Sequence, residues 1–181
     1  MRVVSGTARG VSLLSLEGLE TRPTTDRVKE SMFNVLQFEL YGKRVLDLFA
    51  GSGALGIEAL SRGAESATFV DQNPKALDIV GQNLKKTRLD GQAVLVRDGF
   101  ESFLKREKKP FDIVFLDPPY ASDFAHRAVL MLLEQGLLSP RSVVVLEHDR
   151  EQTETDALLS DFAKKTYRYG KTFVTFYRNE G

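Results

Sequence analysis

The sequence predicts an α/β protein built on a central, mostly parallel sheet with helices on both faces. From Lys43 onward, short apolar runs alternate with longer amphipathic ones, the pattern of strands joined by helical crossovers. Several short runs are apolar on consecutive residues, as in Ile113, Val114, Phe115 and Leu116, which calls for burial on both faces. A glycine-rich turn then joins the first run directly to a helix.

Residues 1–42 read as an extension to that sheet. Extended runs at 2–5 and 11–16 around Gly6 and Gly10 predict a small β-hairpin. Asp26 is placed to cap a helix whose Val28, Met32, Val35, Leu36 and Leu40 share one face. Strands are expected at 44–49, 67–70, 93–97, 112–116, 143–147 and 173–177, with helices at 55–62, 75–88, 100–108, 123–135 and 155–163. Asn73 and Pro74 form an N-cap and first-turn pair for the second of these helices. Aromatic runs on either side of Gly170 predict a terminal hairpin on one sheet edge. No internal repeat or linker divides the chain, so 1–181 is expected to be one domain, with an extension over 1–42 and a core over 43–181.

Composition narrows the function. The 181 residues contain no cysteine, which excludes a disulfide scaffold, a cysteine nucleophile and thiolate metal sites, and suits a reducing cytoplasm. No apolar run approaches the roughly 20 residues needed to cross a bilayer, and no signal peptide is evident, so a cytoplasmic protein with no membrane partner is expected. Charge is balanced at 25 Lys+Arg and 25 Asp+Glu, and a polyanionic partner would have to be met by local patches. Basic residues gather at Arg2 and Arg9, from Arg22 to Lys29, and near Lys85 to Arg88 and Lys105 to Lys109. His126 and His148 show no metal-ligand spacing, and no metal is expected.

The run from Val45 through Asp47, Phe49, Gly51, Ser52 and Gly53 to Gly56 is a buried strand followed by G-x-G-x-x-G and a helix. Glycines there allow a tight turn and a close backbone approach to a ligand at the helix N-terminus. Asp71 ends the second strand 20 positions after Gly51, where a carboxylate can accept from both hydroxyls of an adenosine ribose. A dinucleotide and S-adenosylmethionine (SAM) both meet these requirements. Asp47 separates them: a carboxylate inside a buried strand needs a cationic partner, which an α-ammonium supplies and a pyrophosphate would not. Asp98 follows the third strand and could cap the next helix.

Asp117-Pro118-Pro119-Tyr120 ends the apolar strand at 112–116. Two prolines stop ladder pairing and hold the chain extended. The exocyclic amine of a nucleobase is a poor nucleophile because its lone pair is delocalised into the ring. The Asp117 carboxylate and the Pro118 carbonyl can accept its two hydrogens and turn the lone pair outward, and Tyr120 can stack on the base.

With the D-x-F-x-G-x-G loop, this tetrapeptide resembles the amino methyltransferases of the class I, Rossmann-like SAM-dependent group, which implies a mostly parallel seven-stranded sheet. The run from Thr21 and Arg22 to Asn34, together with Ser5 to Gly10, resembles the RsmD family of small-subunit (16S) ribosomal RNA guanine-N2 methyltransferases, over nearly the whole chain. Tyr120 stands where that family often has Phe, an equivalent stacking ring.

The resemblance implies SAM binding by Asp47, Phe49, Gly51, Ser52, Gly53, Asp71, Gln72, Asn73, Asp98, Gly99 and Phe100, with Asp98 at the adenine. It implies chemistry at Asp117, Pro118, Pro119 and Tyr120, and RNA contact by Arg2, Arg9, Arg22, Thr24, Asp26 and Arg27. The expected partner is ribosomal RNA within the assembled small subunit or a late precursor. Adenine-N6 methylation of DNA or RNA, and a noncatalytic SAM- or RNA-binding subunit, are the alternatives. The first would usually need an added domain to read DNA sequence, and the second need not keep Asp117 and Pro118.

Overall fold

The computed structural model describes residues 1–16 and 25–181. Seven strands, β1 (Arg44–Asp47), β2 (Ser66–Asp71), β3 (Ala93–Arg97), β4 (Phe111–Leu116), β5 (Leu138–His148), β6 (Ala163–Tyr169) and β7 (Thr172–Arg178), form one sheet in the order β3-β2-β1-β4-β5-β7-β6. The first five pair in parallel, and β7 runs antiparallel between β5 and β6. Since β1 pairs with β2 on one side and β4 on the other, the winding reverses there. The carboxyl ends of β1 and β4 therefore flank the crevice in which such sheets bind ligands.

The helices are α1 (Asp26–Leu36), α2 (Ala54–Ser61), α3 (Pro74–Thr87), α4 (Phe100–Arg106), α5 (Phe124–Glu134) and α6 (Thr153–Leu158). Alternation along the strands divides the core into two layers. Val45, Ile113, Phe115, Val143 and Val145 pack with residues of α1, α2 and α3. Leu46, Val114, Leu116, Val144 and Leu146 pack with residues of α4 and α5. The consecutive apolar residues of β4 are thus buried on both faces, as expected. On β3 they are not: Val94 is 54% and Leu95 42% exposed, because β3 is an edge strand with a neighbour on one side only.

Several boundaries differ from the sequence expectation. The β1 strand stops at Asp47, where the chain begins its turn. The β5 strand starts earlier, at Leu138, which pairs with Phe111; a register shift before Ile113 then leaves 139–142, including Pro140, outside the β4 pairing. The helix expected to reach 163 ends at Leu158, and Ala163 opens β6. Thr25 caps α1, accepting from the Val28 amide at 3.2 Å; Asp26 lies inside the helix and accepts from the Arg2 amide instead. The N-terminal hairpin exists in minimal form, one antiparallel bridge between Arg2 and Ser12. Gly6 is required beside it: its φ is +91°, and an added Cβ would lie 1.9 Å from the Ser61 carbonyl oxygen.

A buried ionic network locks this N-terminal segment to α1 and α2. Glu58 Oε1 accepts from the Val4 amide at 2.9 Å and lies 3.2 Å from Lys29 Nζ, while Oε2 accepts from the Ser5 amide and from Arg62 Nε. Lys29 Nζ also donates to the Arg2 carbonyl at 2.6 Å. Both Lys29 and Glu58 are fully buried, so Lys29 is not part of a basic surface patch. Burial pulls the Lys29 pKa down, while Glu58 beside it opposes that shift. Removing one member of such a pair leaves a buried charge without compensation. Glu58→Ala is therefore expected to lower unfolding free energy by about 3 to 5 kcal/mol in urea titrations, with faster hydrogen exchange at Val4 and Ser5; a loss below about 1 kcal/mol would contradict the role given to the network.

Candidate active site

The glycine loop leaves β1 at Asp47 and enters α2 at Ala54. Gly51 has φ +56°, and Gly53, at +81°, is the N-cap of α2. An added Cβ at Gly51 would meet nothing within 4 Å, so this turn faces open space. At Gly56 it would lie 2.4 Å from the Phe69 ring, so there close helix-to-strand packing is what requires glycine.

Asp71, the last residue of β2, ties neighbouring turns together. Its Oδ2 accepts from the Gly51 amide at 3.0 Å and its Oδ1 from the Asn73 amide at 2.9 Å, while its carbonyl accepts from the Asp98 amide at 3.1 Å. Asn73 caps α3 as expected, accepting from the Lys75 amide at 3.0 Å. Gln72 is exposed beside Gly99. Asp98 is half-buried and is not the helix cap, since Gly99 holds that position. Slight burial pushes its pKa up, but hydrogen bonds from Arg106, Ser102 and the Gly99 amide outweigh this and lower it. Its carboxylate is paired with the Arg106 guanidinium.

Asp47 is almost fully buried. Its Oδ2 accepts from the Gly56 amide at 3.0 Å, one neutral donor against the loss of water. Burial pushes its pKa up to about 7; the Gly56 N–H works against that and the nearby Asp71 charge adds to it. Acids at the ends of β1, β2 and near β3 suit an ammonium, a ribose diol and an aromatic amine. Such a donor set fits SAM and repels a pyrophosphate.

Phe49 and Phe100 do not stand alone. Their ring centroids are 5.3 Å apart, Phe124 stacks 6.1 Å from Phe49, and the Arg127 guanidinium lies over Phe100 and Phe124 at 5.5 Å. Phe124 and Arg127, on α5, complete an aromatic wall that the sequence did not reveal, because α5 lies more than 70 residues after the loop.

β1 and β4 are in register at Asp47 and Phe115, which brings Asp117 just beyond the end of β4 and beside the glycine loop. Asp117 and Tyr120 are half-buried and Pro118 is buried. Ser122 Oγ donates to the Pro119 carbonyl at 2.6 Å. Ala121 follows with φ +61°, a left-handed backbone of the kind found where a functional turn is held under strain. Pro118, Pro119 and Tyr120 line a small cavity of about 30 Å³ together with Leu146, Glu147 and His148 of β5.

The expected RNA contacts divide. Arg2 is exposed and its amide is bonded to Asp26 at the N-terminus of α1, beside exposed Arg27. Arg9 sits beside Ser61 at the opposite end of α2, since Thr7 and Ala8 bond to that serine, and is not brought to the crevice. Arg22 and Thr24 lie outside the described residues. Asn83 emerges as a further structural link: fully buried, it accepts from the Leu14 amide and donates to the carbonyls of Leu14 and Ser52.

The family model described as Conserved hypothetical protein 95 matches residues 1–178. YlbH of Bacillus subtilis is 43% identical over all of both chains. The Ribosomal RNA small subunit methyltransferase D of Haemophilus influenzae is 37% identical, over 84% of this chain and 80% of its own. Among solved structures, yhhF of Escherichia coli superimposes with a TM-score of 0.88 at 33% identity, covering 100% of this chain and 98% of its own.

Asp47 supplies a pH test. A carboxyl raised from its ordinary 3.8 to about 7 keeps its proton longer in the folded than in the unfolded state, so stability falls as pH rises across that interval and is flat above it. Asp47→Asn cannot titrate, and is expected to flatten the urea-measured decline between pH 5 and 8 and to exceed wild type in stability at pH 8. An unchanged slope would show that Asp47 is not the group responsible.

Proposed function

The chain belongs to the family described as Conserved hypothetical protein 95, the RsmD family, and on that premise we propose that it transfers a methyl group from SAM to the exocyclic N2 of a guanine in small-subunit ribosomal RNA. The observation that carries this reading is the juxtaposition of the Asp117-Pro118-Pro119-Tyr120 turn with the glycine loop at the point where strand order reverses. The name of the Haemophilus influenzae relative supports the substrate class.

In this reading Asp47, Gly51, Ser52 and Gly53 hold the methionine end, Asp71 with Gln72 and Asn73 the ribose, and Asp98 and Gly99 the adenine, with Phe49 and Phe100 as the wall. When bound, SAM supplies an electrophilic methyl group, and S-adenosylhomocysteine leaves. The chain's own part is positioning. Asp117 and the Pro118 carbonyl accept the two amine hydrogens, Tyr120 stacks on the guanine, and the amine is held in line with the methyl carbon. Such orientation is worth roughly 7 to 11 kcal/mol of the barrier. Asp71 binds the ribose with the lone pairs its two amide bonds leave free, so cofactor and loop share one carboxylate.

The substrate context is the assembled small subunit or a late precursor in the cytoplasm, with Arg2, Asp26 and Arg27 as RNA contacts. Zero net charge supports this, because capture of free RNA by backbone attraction favours a strongly basic protein.

Nucleoside mass spectrometry of small-subunit RNA incubated with protein and SAM tests the reading. N2-methylguanosine is expected; N6-methyladenosine, or no methylated base on either naked RNA or assembled subunits, would overturn it. Asp117→Ala is expected to reduce transfer by at least about 10²-fold, as when a group addressing the reacting amine is removed, with the calorimetric SAM affinity within about threefold of wild type. Near-normal turnover would remove Asp117 from the chemistry.

A further inference from the structure

Between Phe162 and Asn179 the chain carries Lys164, Lys165, Arg168, Lys171 and Arg178 and no Asp or Glu. This basic segment is the β6–β7 hairpin, absent from the basic patches expected from sequence. Two of its cations are neutralised far from its tip: Lys164 Nζ lies 2.7 Å from Asp156, and Arg178 is paired with Glu39. Among the described residues, Lys165, Arg168 and Lys171 form no ion pair; Lys165 lies over the Tyr167 ring, and Arg168 and Lys171 are exposed next to the turn.

Strand register sets the height of that turn. Leu116 pairs with Leu146, so the rung running through His148, Phe173 and Arg168 stands level with Pro118. At about 4.8 Å per strand, Arg168 lies roughly 14 Å across the sheet from β4. A continuous ladder spans the gap. The His148 ring stacks on Phe173 with centroids 5.6 Å apart and planes 17° from parallel, and the Arg168 guanidinium lies 5.7 Å from the Phe173 centroid. Nδ1 of His148 donates to the Arg150 carbonyl and Nε2 meets Thr175 Oγ1, both at 2.7 Å, which fixes the ring. His148 and Arg150 also line the cavity beside Pro118, Pro119 and Tyr120. Of the acids in the adjoining loop, Asp149 is bonded to Arg150, and Glu151 is exposed.

Flat rings leading from the cavity and cations beyond them match a single nucleic-acid strand, with stacking for a base and charge for phosphates. We propose that the tip of the β6–β7 hairpin is a second RNA contact, which holds the strand flanking the target base. Arg168 and Lys171 pair with its phosphates, and the His148–Phe173 step supports a neighbouring base. The inference rests on the RNA-methyltransferase reading and adds a surface on the β5 side of the crevice.

Fluorescence anisotropy of a labelled single-stranded RNA, titrated over a range of salt with wild type, the Arg168→Ala/Lys171→Ala double variant and Lys164→Ala, tests it. Loss of two phosphate contacts should reduce the log–log salt slope by about 1.4 and raise Kd about tenfold near 0.1 M salt. Lys164→Ala should match wild type, and SAM affinity and Tm should not change in either variant. An unchanged slope in a folded double variant overturns the proposal. So does an unchanged slope on naked RNA with loss of methylation on assembled subunits, which would assign the tip to a ribosomal protein. A reduced slope together with a wild type that methylates no RNA would retain the contact and reject the reaction.

Discussion

Three backbone amides converge on Asp71. Its side chain holds the Gly51 and Asn73 amides and its carbonyl holds the Asp98 amide, so the turns after β1, β2 and β3 are fixed to one residue. A turn through two left-handed glycines would otherwise carry the backbone entropy that glycine brings. The carboxylate offsets that entropy with charge-assisted hydrogen bonds, each stronger than a neutral one. The shape of the crevice is consequently set by the chain's own hydrogen bonds. Its shape depends on the same group that the ligand's ribose would address.

Pre-shaping has an electrostatic cost. Asp47 lies buried near Asp71 with one amide donor; burial, with the Asp71 charge adding to it, disfavours a second negative charge there. The molecule therefore carries a deficit that a bound cation removes. An ammonium bound there would lower the Asp47 pKa by the same Coulomb attraction by which the carboxylate would hold it. Binding of such a cation and ionisation of Asp47 would then be linked, with affinity gained as pH rises through the range in which Asp47 titrates. Lys29 and Glu58 solve the opposite problem: there the fold brings its own counter-charge and satisfies nearly every remaining lone pair with backbone.

What was legible in the sequence was local. The strand-glycine-helix turn, the Asn73 cap and the Asp117-Pro118-Pro119-Tyr120 turn each declare themselves within a dozen residues, because backbone conformation and capping are decided at that range. Thr25 rather than Asp26 caps α1, and the difference is one residue of helix phase that adjacent capping types leave undecided. The unread features all join distant segments: Asn83 reaches Leu14 across 69 positions, Glu58 reaches Val4 across 54, and the Phe124 and Arg127 wall meets Phe49 from another helix. Nothing near Lys29 in sequence distinguishes it from exposed Arg27, since only the packed position of Glu58 draws it inward. The exposure of Val94 and Leu95 likewise depends on which strand lies at the edge, a property of topology and not of composition.

Net charge leaves the placement of charge open for a related reason. A sum of zero treats every ion alike, whereas folding removes many from view in pairs. Lys29 and Arg62 meet Glu58, Arg44 meets Glu107, Arg106 meets Asp98, Arg127 meets Glu101 and Asp123, and Arg178 meets Glu39. Attraction of a polyanion depends on the ions left over and on where they stand, because beyond roughly 8 to 10 Å salt screens the rest. Arg2 and Arg27 remain exposed on the N-terminal segment and the start of α1, and Arg168 and Lys171 at the hairpin tip, level with the carboxyl end of β4. A neutral chain can therefore present positive charge in local patches, while exerting little long-range pull on nucleic acid elsewhere. That arrangement favours recognition of a strand already held in shape over capture of any RNA encountered.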